Sequence, residues 1–178
     1  MKKFFIAMCV ALFAISAQAQ KRGEFAVGLQ TNETFSKVEF LNAKENSNKW
    51  GIGAFGQYSI TNHWRLEADL TFHPMKDHMS DFLAALEMQY VFHVSDKIKI
   101  YPSLGYALSF VHRETYTEKD DNGSITFEGD NDTDGGIQLG LGFQYNLKND
   151  WFIKADYKFQ PGIFGDAHCI MFGVGYKL

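Results

Sequence analysis

From Glu24 to its C-terminus the chain alternates apolar and polar residues with a period of two. That period belongs to extended strands, whose successive side chains point to opposite faces. Eight segments carry it: Glu24–Gln30, Trp50–Ile60, Trp64–His73, Phe82–Val94, Ile98–Val111, Ile137–Leu147, Trp151–Gln160 and Ile170–Leu178. In the third, one face reads Trp64, Leu66, Ala68, Leu70, Phe72 and the other Arg65, Glu67, Asp69, Thr71, His73. In the sixth, Ile137, Leu139, Leu141, Phe143, Tyr145 and Leu147 oppose Gln138, Gly140, Gly142, Gln144 and Asn146. Across all eight segments only Gly56 and Pro102 interrupt the apolar face, and no position on it is charged.

Which way the apolar face points decides the class. A soluble sandwich or lipocalin-type barrel turns it inward. Here the polar face is the small one, with Gly28, Gly51, Gly53, Gly105, Gly140, Gly142, Gly173 and Gly175. Bulky residues fit the outside of a narrow tube and small ones relieve crowding inside it. The interior of eight strands is just wide enough for side chains to fill. The expected fold is therefore all-β: an eight-stranded antiparallel up-and-down transmembrane β-barrel, apolar out and polar in. A mean hydropathy of −0.22 excludes a bundle of membrane helices, each of which needs about 20 apolar residues.

The polar face carries Glu24, Glu67, Asp69, Glu87 and Asp156 against Arg65, Lys99, Lys154, Lys158 and Lys177. A balanced set in a narrow lumen can pair and close it. Arg65, Glu67, Asp69, Glu87, Lys99, Lys154, Asp156 and Lys158 form the expected lumen charge network, with Glu24 and Lys177 nearer a mouth.

Ahead of the first segment, Met1-Lys2-Lys3 precedes an apolar run from Phe4 to Ile15 and then Ser16-Ala17-Gln18-Ala19. A basic start, a run too short to span a bilayer and a small-x-small site describe a secretory signal peptide. Cleavage is expected after Ala19, which leaves residues 20–178 as the barrel domain. Cys9 leaves with the signal, so Cys169 has no partner for an intrachain disulfide. The net charge of −4 becomes more acidic once Lys2 and Lys3 are removed, which argues against a nucleic-acid partner.

The connections alternate in length. Thr61–His63, Ser95–Lys97 and Lys148–Asp150 are tight, whereas Thr31–Lys49 and His112–Gly136 are long, with Pro74–Asp81 and Pro161–Cys169 between. Long outer loops and short periplasmic turns are the outer-membrane rule. Both termini are then periplasmic. Tyr58, Trp64, Tyr90, Tyr145, Trp151 and Tyr176 all fall beside tight turns or the C-terminus, and are expected to form a periplasmic aromatic girdle.

Strand number, loop alternation and the closing Gly173-Val174-Gly175-Tyr176-Lys177-Leu178 resemble the small outer-membrane barrels of the OmpX and OmpA transmembrane type, within the porin family. The C-terminal run is similar to the barrel-assembly signal Gly-x-x-aromatic-x-hydrophobic. The resemblance implies that Gly173, Tyr176 and Leu178 address the assembly machinery, although many members end in Phe or Trp rather than Leu.

The large loop holds Asp130-Asn131-Asp132-Thr133-Asp134-Gly135, the first half of a calcium loop. Asp130, Asp132 and Asp134 are the metal candidates, but Leu141 stands where the closing bidentate carboxylate belongs. Around Asp121-Asn122-Gly123 the loop carries a hairpin signal, and an exposed edge with Tyr116, Ile125 and Phe127 could take a partner strand. Ser80 near His78, or Ser109 near His112, would be the pairs for a lipid-modifying enzyme, yet neither sits in a catalytic motif. The expectation is a non-enzymatic outer-membrane barrel without cofactor. Its partners would be membrane lipid and lipopolysaccharide, the assembly machinery, and a surface protein or host ligand at the outer loops. The alternatives are a lipid-modifying enzyme or a narrow channel.

Overall fold

The computed structural model describes residues 22–40, 43–76, 78–120, 123–161 and 166–178. The expected signal segment, and Asp121 and Asn122 of the hairpin signal, lie outside them. The strands are β1 (Phe25–Phe40), β2 (Ala43–Ser59), β3 (Trp64–Lys76), β4 (Met79–Tyr90), β5 (Phe92–His93), β6 (Ile98–Arg113), β7 (Tyr116–Asp120), β8 (Gly123–Phe127), β9 (Asn131–Asn146), β10 (Trp151–Gln160) and β11 (Ala167–Lys177). The wall runs β1-β2-β3-β4-β6-β9-β10-β11, with β5 continuing the line of β4, and every pairing is antiparallel. Pairing of β11 back onto β1 closes it into eight strands, the expected barrel. Closure removes the sheet edges and pairs the backbone internally, as a bilayer requires.

One break in the wall has a local cause. The β4–β6 ladder stops at Gln89↔Ser103 and resumes in the same register at Phe92↔Ile100. Pro102 lies opposite the gap and has no N–H to give the ladder. On its other side the strand keeps its β3 register there, with the Val91 N–H on the His63 carbonyl at 2.7 Å.

Burial is inverted relative to a soluble protein. Arg65, Glu67, Asp69 and Thr71 are at most 1% exposed, whereas Leu70 is 51% and Phe72 47% exposed. The same holds around the wall: Leu29, Ile52, Leu86, Leu104, Leu139, Leu141 and Phe172 all face outward. Only an apolar surrounding makes that arrangement favourable.

Two expectations need correction. The interior is not built only of small and polar residues, because Phe55, Tyr101 and Phe152 point inward and are buried. Glycines make room for them. A Cβ on Gly28 would overlap the Phe55 ring, one on Gly142 the Tyr101 ring, and one on Gly175 the Phe152 ring. Phe55 and Phe152 lie 6.0 Å apart between ring centroids and pack with Ala26.

The connections also differ. Those expected to be tight are so, closed by Ile60 N–H to Trp64 O at 2.9 Å, Val94 N–H to Ile98 O at 2.9 Å and Leu147 N–H to Trp151 O at 2.7 Å. Asn149 and Asp150 take the left-handed conformation in the last of these, at φ 57° and 62°, which their side chains tolerate better than most. At the opposite end, Thr31–Lys49 is not a loop: β1 and β2 stay in step from Phe25↔Tyr58 to Phe40↔Ala43. β6 and β9 likewise pair as far as His112↔Asn131. Pro74 lies within β3, at a register shift between His73 and Lys76, and the β3–β4 pairing continues to Lys76↔Met79. Beyond the apolar belt no lipid requires one face to be apolar, so the ladder persists while the apolar-polar alternation that marks it fades.

The two faces predict opposite responses to charge. Leu139→Arg places a cation in lipid and is expected to cost about 2–4 kcal/mol near mid-membrane. Gln138→Arg, one residue earlier, enters the lumen and is expected to cost much less. Urea unfolding in lipid vesicles measures both, and equal losses would contradict the facing.

Candidate functional site

Strand parity brings the interior charges together. Inward positions on β3 supply Arg65, Glu67 and Asp69, those on β10 supply Lys154, Asp156 and Lys158, and β4 supplies Glu87. Lys154 Nζ lies 2.8 Å from Glu67, 3.3 Å from Asp156 and 4.0 Å from Asp69. It also stands over the Phe55 ring at 3.8 Å from the centroid, a cation–π contact. Lys158 Nζ contacts Asp69 at 2.7 Å, Glu67 at 3.9 Å and the Glu87 carboxylate. The three carboxylates of Glu67, Asp69 and Glu87 converge within 4.8 Å of one another, and Lys158 bridges all three.

Amides and rings complete the shell. Gln57 donates to Glu67, and Gln30 to Asp69 at 2.9 Å. Among the described residues Arg65 meets no carboxylate directly. It donates to Gln89 at 2.7 Å and Gln144 at 2.6 Å, and its guanidinium lies 4.5 Å from the Tyr101 ring centroid. The Tyr101 hydroxyl donates to Asp156 at 2.8 Å, which links Arg65 to the central cluster through the ring.

Seven of the eight expected network residues are thus linked. Lys99 is the exception: it is buried but forms no ion pair among the described residues, one level below Tyr101 and opposite His93. Glu24 and Lys177 approach to 3.8 Å, both partly exposed, at the tight-turn end. At the other mouth lies a group that the sequence did not mark. Asp81 accepts from Lys49 at 2.8 Å and joins His73 Nδ1 at 2.8 Å, and His73 Nε2 meets Asn32 at 3.1 Å. Asp81 fell just outside the expected fourth segment, and Lys49 inside an expected loop.

Asp130, Asp132 and Asp134 do not form a calcium loop. Asn131–Asn146 is strand, so alternate residues lie about 6.6 Å apart along a line. Each of the three carboxylates instead accepts from the next residue's N–H, at 2.7–2.8 Å. A calcium loop must curl its ligands about one centre, which an extended ladder cannot do. Ser80 pairs across the wall with His112, but the His112 ring bonds Asn131 at 2.7 Å, and His78 stacks on Tyr116. No Ser–His hydrogen bond joins these four among the described residues.

The six aromatics sit at the tight-turn end. Trp64 is opposite Tyr90, and Trp151 opposite Tyr176, with ring centroids 5.0 and 5.3 Å apart. Tyr58 faces Phe25, and Tyr145 faces Ile98. At the C-terminus Gly173 lies between Gln30 and Lys154, and Leu178 N–H reaches Phe25 O at 2.8 Å. The hairpin signal is met by β7 pairing with β8, from Tyr116↔Phe127 to Asp120↔Gly123.

The network predicts unequal costs for its lysines. Lys158→Met leaves buried carboxylates without their counter-ion and is expected to destabilise by about 3–5 kcal/mol. Lys177→Met removes a partly exposed, 3.8 Å pair and is expected to cost less than about 1 kcal/mol. Equilibrium unfolding followed by tryptophan fluorescence distinguishes them, and equal costs would mean that the buried pairs carry no special weight.

No curated protein matches the chain. Three solved structures share its fold. Neisserial surface protein A is 14% identical with a TM-score of 0.67, covering 86% of this chain and 97% of that one. The N-terminal β-barrel domain of Pseudomonas aeruginosa OprF is 17% identical with a TM-score of 0.62, covering 88% and 100%. Ail, the attachment invasion locus protein of Yersinia pestis, solved with the heparin analogue sucrose octasulfate, is 16% identical with a TM-score of 0.59, covering 89% and 100%. The model of the outer membrane protein β-barrel domain family matches residues 5–177. With its closed eight-stranded wall and its lipid-facing apolar surface, the chain belongs to the outer membrane protein β-barrel domain family of bacterial outer membranes.

Proposed function

We propose that this chain is a non-conducting, non-catalytic barrel that acts through what it holds above the bilayer. Residues 1–19 would be removed on export, and the tight turns and both termini would face the periplasm. The aromatics from Tyr58 to Tyr176 then mark the periplasmic interface. Gly173, Tyr176 and Leu178 would be read by the assembly machinery. The bridged cluster around Lys154 and Lys158, capped below by Arg65 and Tyr101, supports a lumen closed to ions.

The observation that carries the surface role is the set of strands that outrun their neighbours. The β9–β10 ladder ends at Phe159↔Leu139, yet β9 continues outward to Asn131. The β2–β3 ladder ends at Ile52↔Phe72, yet β2 continues to Ala43. Open strand edges are templates for a partner strand. The rim beside β9 is acidic and exposed, with Glu114, Glu128, Asp130, Asp132 and Asp134. Ail binds a polyanion, the heparin analogue. The acidic rim here would repel one, so the partner surface is basic, or is lipopolysaccharide phosphate bridged by divalent cations.

Two measurements test this reading. Planar bilayers containing the refolded barrel should stay silent, and steady openings would contradict a closed lumen. Cells displaying the barrel should adhere to host-cell layers, and added sucrose octasulfate, a polyanion that competes for a basic partner surface, should reduce that adherence. Replacing residues 115–128 with a two-residue turn should abolish that adherence while the folded barrel still shifts on boiling in detergent gels. No gain over empty cells, or full adherence without the hairpin, would remove the surface role.

A further inference from the structure

At the outer mouth three lone-pair atoms converge on one nitrogen. Asn32 Nδ2 lies 3.1 Å from His73 Nε2, 3.4 Å from Cys169 Sγ and 3.4 Å from Thr34 Oγ1. Thr34 Oγ1 is itself 3.5 Å from the sulfur. An amide NH2 has only two protons for these three acceptors. Its own oxygen fares worse. Asn32 is 4% exposed, and its Oδ1 has no hydrogen-bond partner among the described residues. Gln138 Oε1, in a residue 5% exposed, is equally without one. Asn32 and Gln138 both line a cavity of about 30 Å³, together with Thr34, Cys169, Asp69 and Lys158. Native proteins seldom leave such oxygens bare, because each costs about 1–3 kcal/mol of desolvation.

The surroundings suit a cation. Asp81 Oδ2 holds His73 Nδ1 at 2.8 Å, and the neutral tautomer with its proton on Nδ1 presents Nε2 inward as a lone pair. A carboxylate behind a histidine is the usual support of a metal-binding imidazole. Lys49 neutralises Asp81 from the far side at 2.8 Å.

We propose that His73, Cys169, Asn32 and Thr34 form a binding site for a zinc-class divalent metal ion at the outer mouth of the lumen. Nitrogen and sulfur donors together select such an ion over calcium or magnesium, which prefer all-oxygen sets. Rotation of the Asn32 amide exchanges its NH2 for Oδ1 and supplies the oxygen that now lacks a partner. Formation of the metal–sulfur bond releases the Cys169 thiol proton to solvent. Asp81 is a positioning residue, acting through His73.

Cobalt(II) is the probe, added to the reduced, refolded barrel in detergent micelles. The expected result is one Co2+ per chain with thiolate-to-cobalt charge-transfer absorption, displaced by Zn2+. Cys169→Ser should abolish the band, and Asp81→Asn should weaken affinity by about 10–100-fold without touching the metal. His73→Gln should weaken it further. No band in the native protein, as a cavity holding only water would give, overturns the proposal. So does a band of unchanged affinity in His73→Gln and Asp81→Asn, which would mean a thiol binding alone. Should either variant fail to fold, the native chain still decides: Zn2+ must slow maleimide alkylation of Cys169 while Ca2+ does not, and equal rates overturn the site.

Discussion

Alternate residues of the wall strands point into a lumen where their side chains are buried, and the rest of the structure follows from that. Lipid outside admits no charge, so the polar residues have only one another. Lys158 cannot be solvated and must sit among Glu67, Asp69 and Glu87. Lys154 takes Glu67 and Asp156 and spreads its remaining field over the Phe55 ring. Such pairs add little net stability over an apolar filling of the same shape, but losing one member is severe. They therefore fix which residues face in and how the strands register, more than they strengthen the fold.

The same burial explains the glycines. Phe55, Tyr101 and Phe152 fill the lumen beside the charges, and each ring needs a neighbour without a side chain. Gly28, Gly142 and Gly175 supply that space. The rings also shield the ions, since Tyr101 lies between the Arg65 guanidinium and Asp156 and binds both. Glycine, ring and ion pair are three solutions to one packing problem.

Wherever lipid touches the wall, the fold was legible in the sequence. In Trp64–His73 the alternation assigned each side chain to the face it occupies, and Trp151–Gln160 has the strand bounds expected of it. Three things were not legible. In Thr31–Lys49 the apolar residues Phe35, Val38, Phe40 and Leu41 fall at both odd and even positions, so no alternation in its pattern separates strand from loop. The inward rings break the rule that bulk belongs outside, a rule drawn from volume alone that ignores glycines on neighbouring strands. The grouping of His73 with Asp81, and of Asn32 with Cys169, comes from register between strands, and a single strand's sequence does not encode that. Lys99 illustrates the converse: parity placed it inside, but its level sets it apart from the acids above.

Register is where the two halves of the molecule part company. Within the bilayer a slip of one residue would expose Arg65, Glu67 and Asp69 to lipid and bury Leu66 and Leu70, so the pairing is sharply specified. Above the bilayer a slip exchanges one polar face for another, at little cost. Sequence there can change without endangering the barrel, and strands such as β2 and β9 can outrun their neighbours and leave edges open. In a soluble domain such edges would be a hazard, because they invite pairing with any chain. Here the closed wall below fixes their orientation, and exposed acidic residues line the rim beside β9. The lipid-facing half holds the register rigidly, and that rigidity is what allows the outer half to vary.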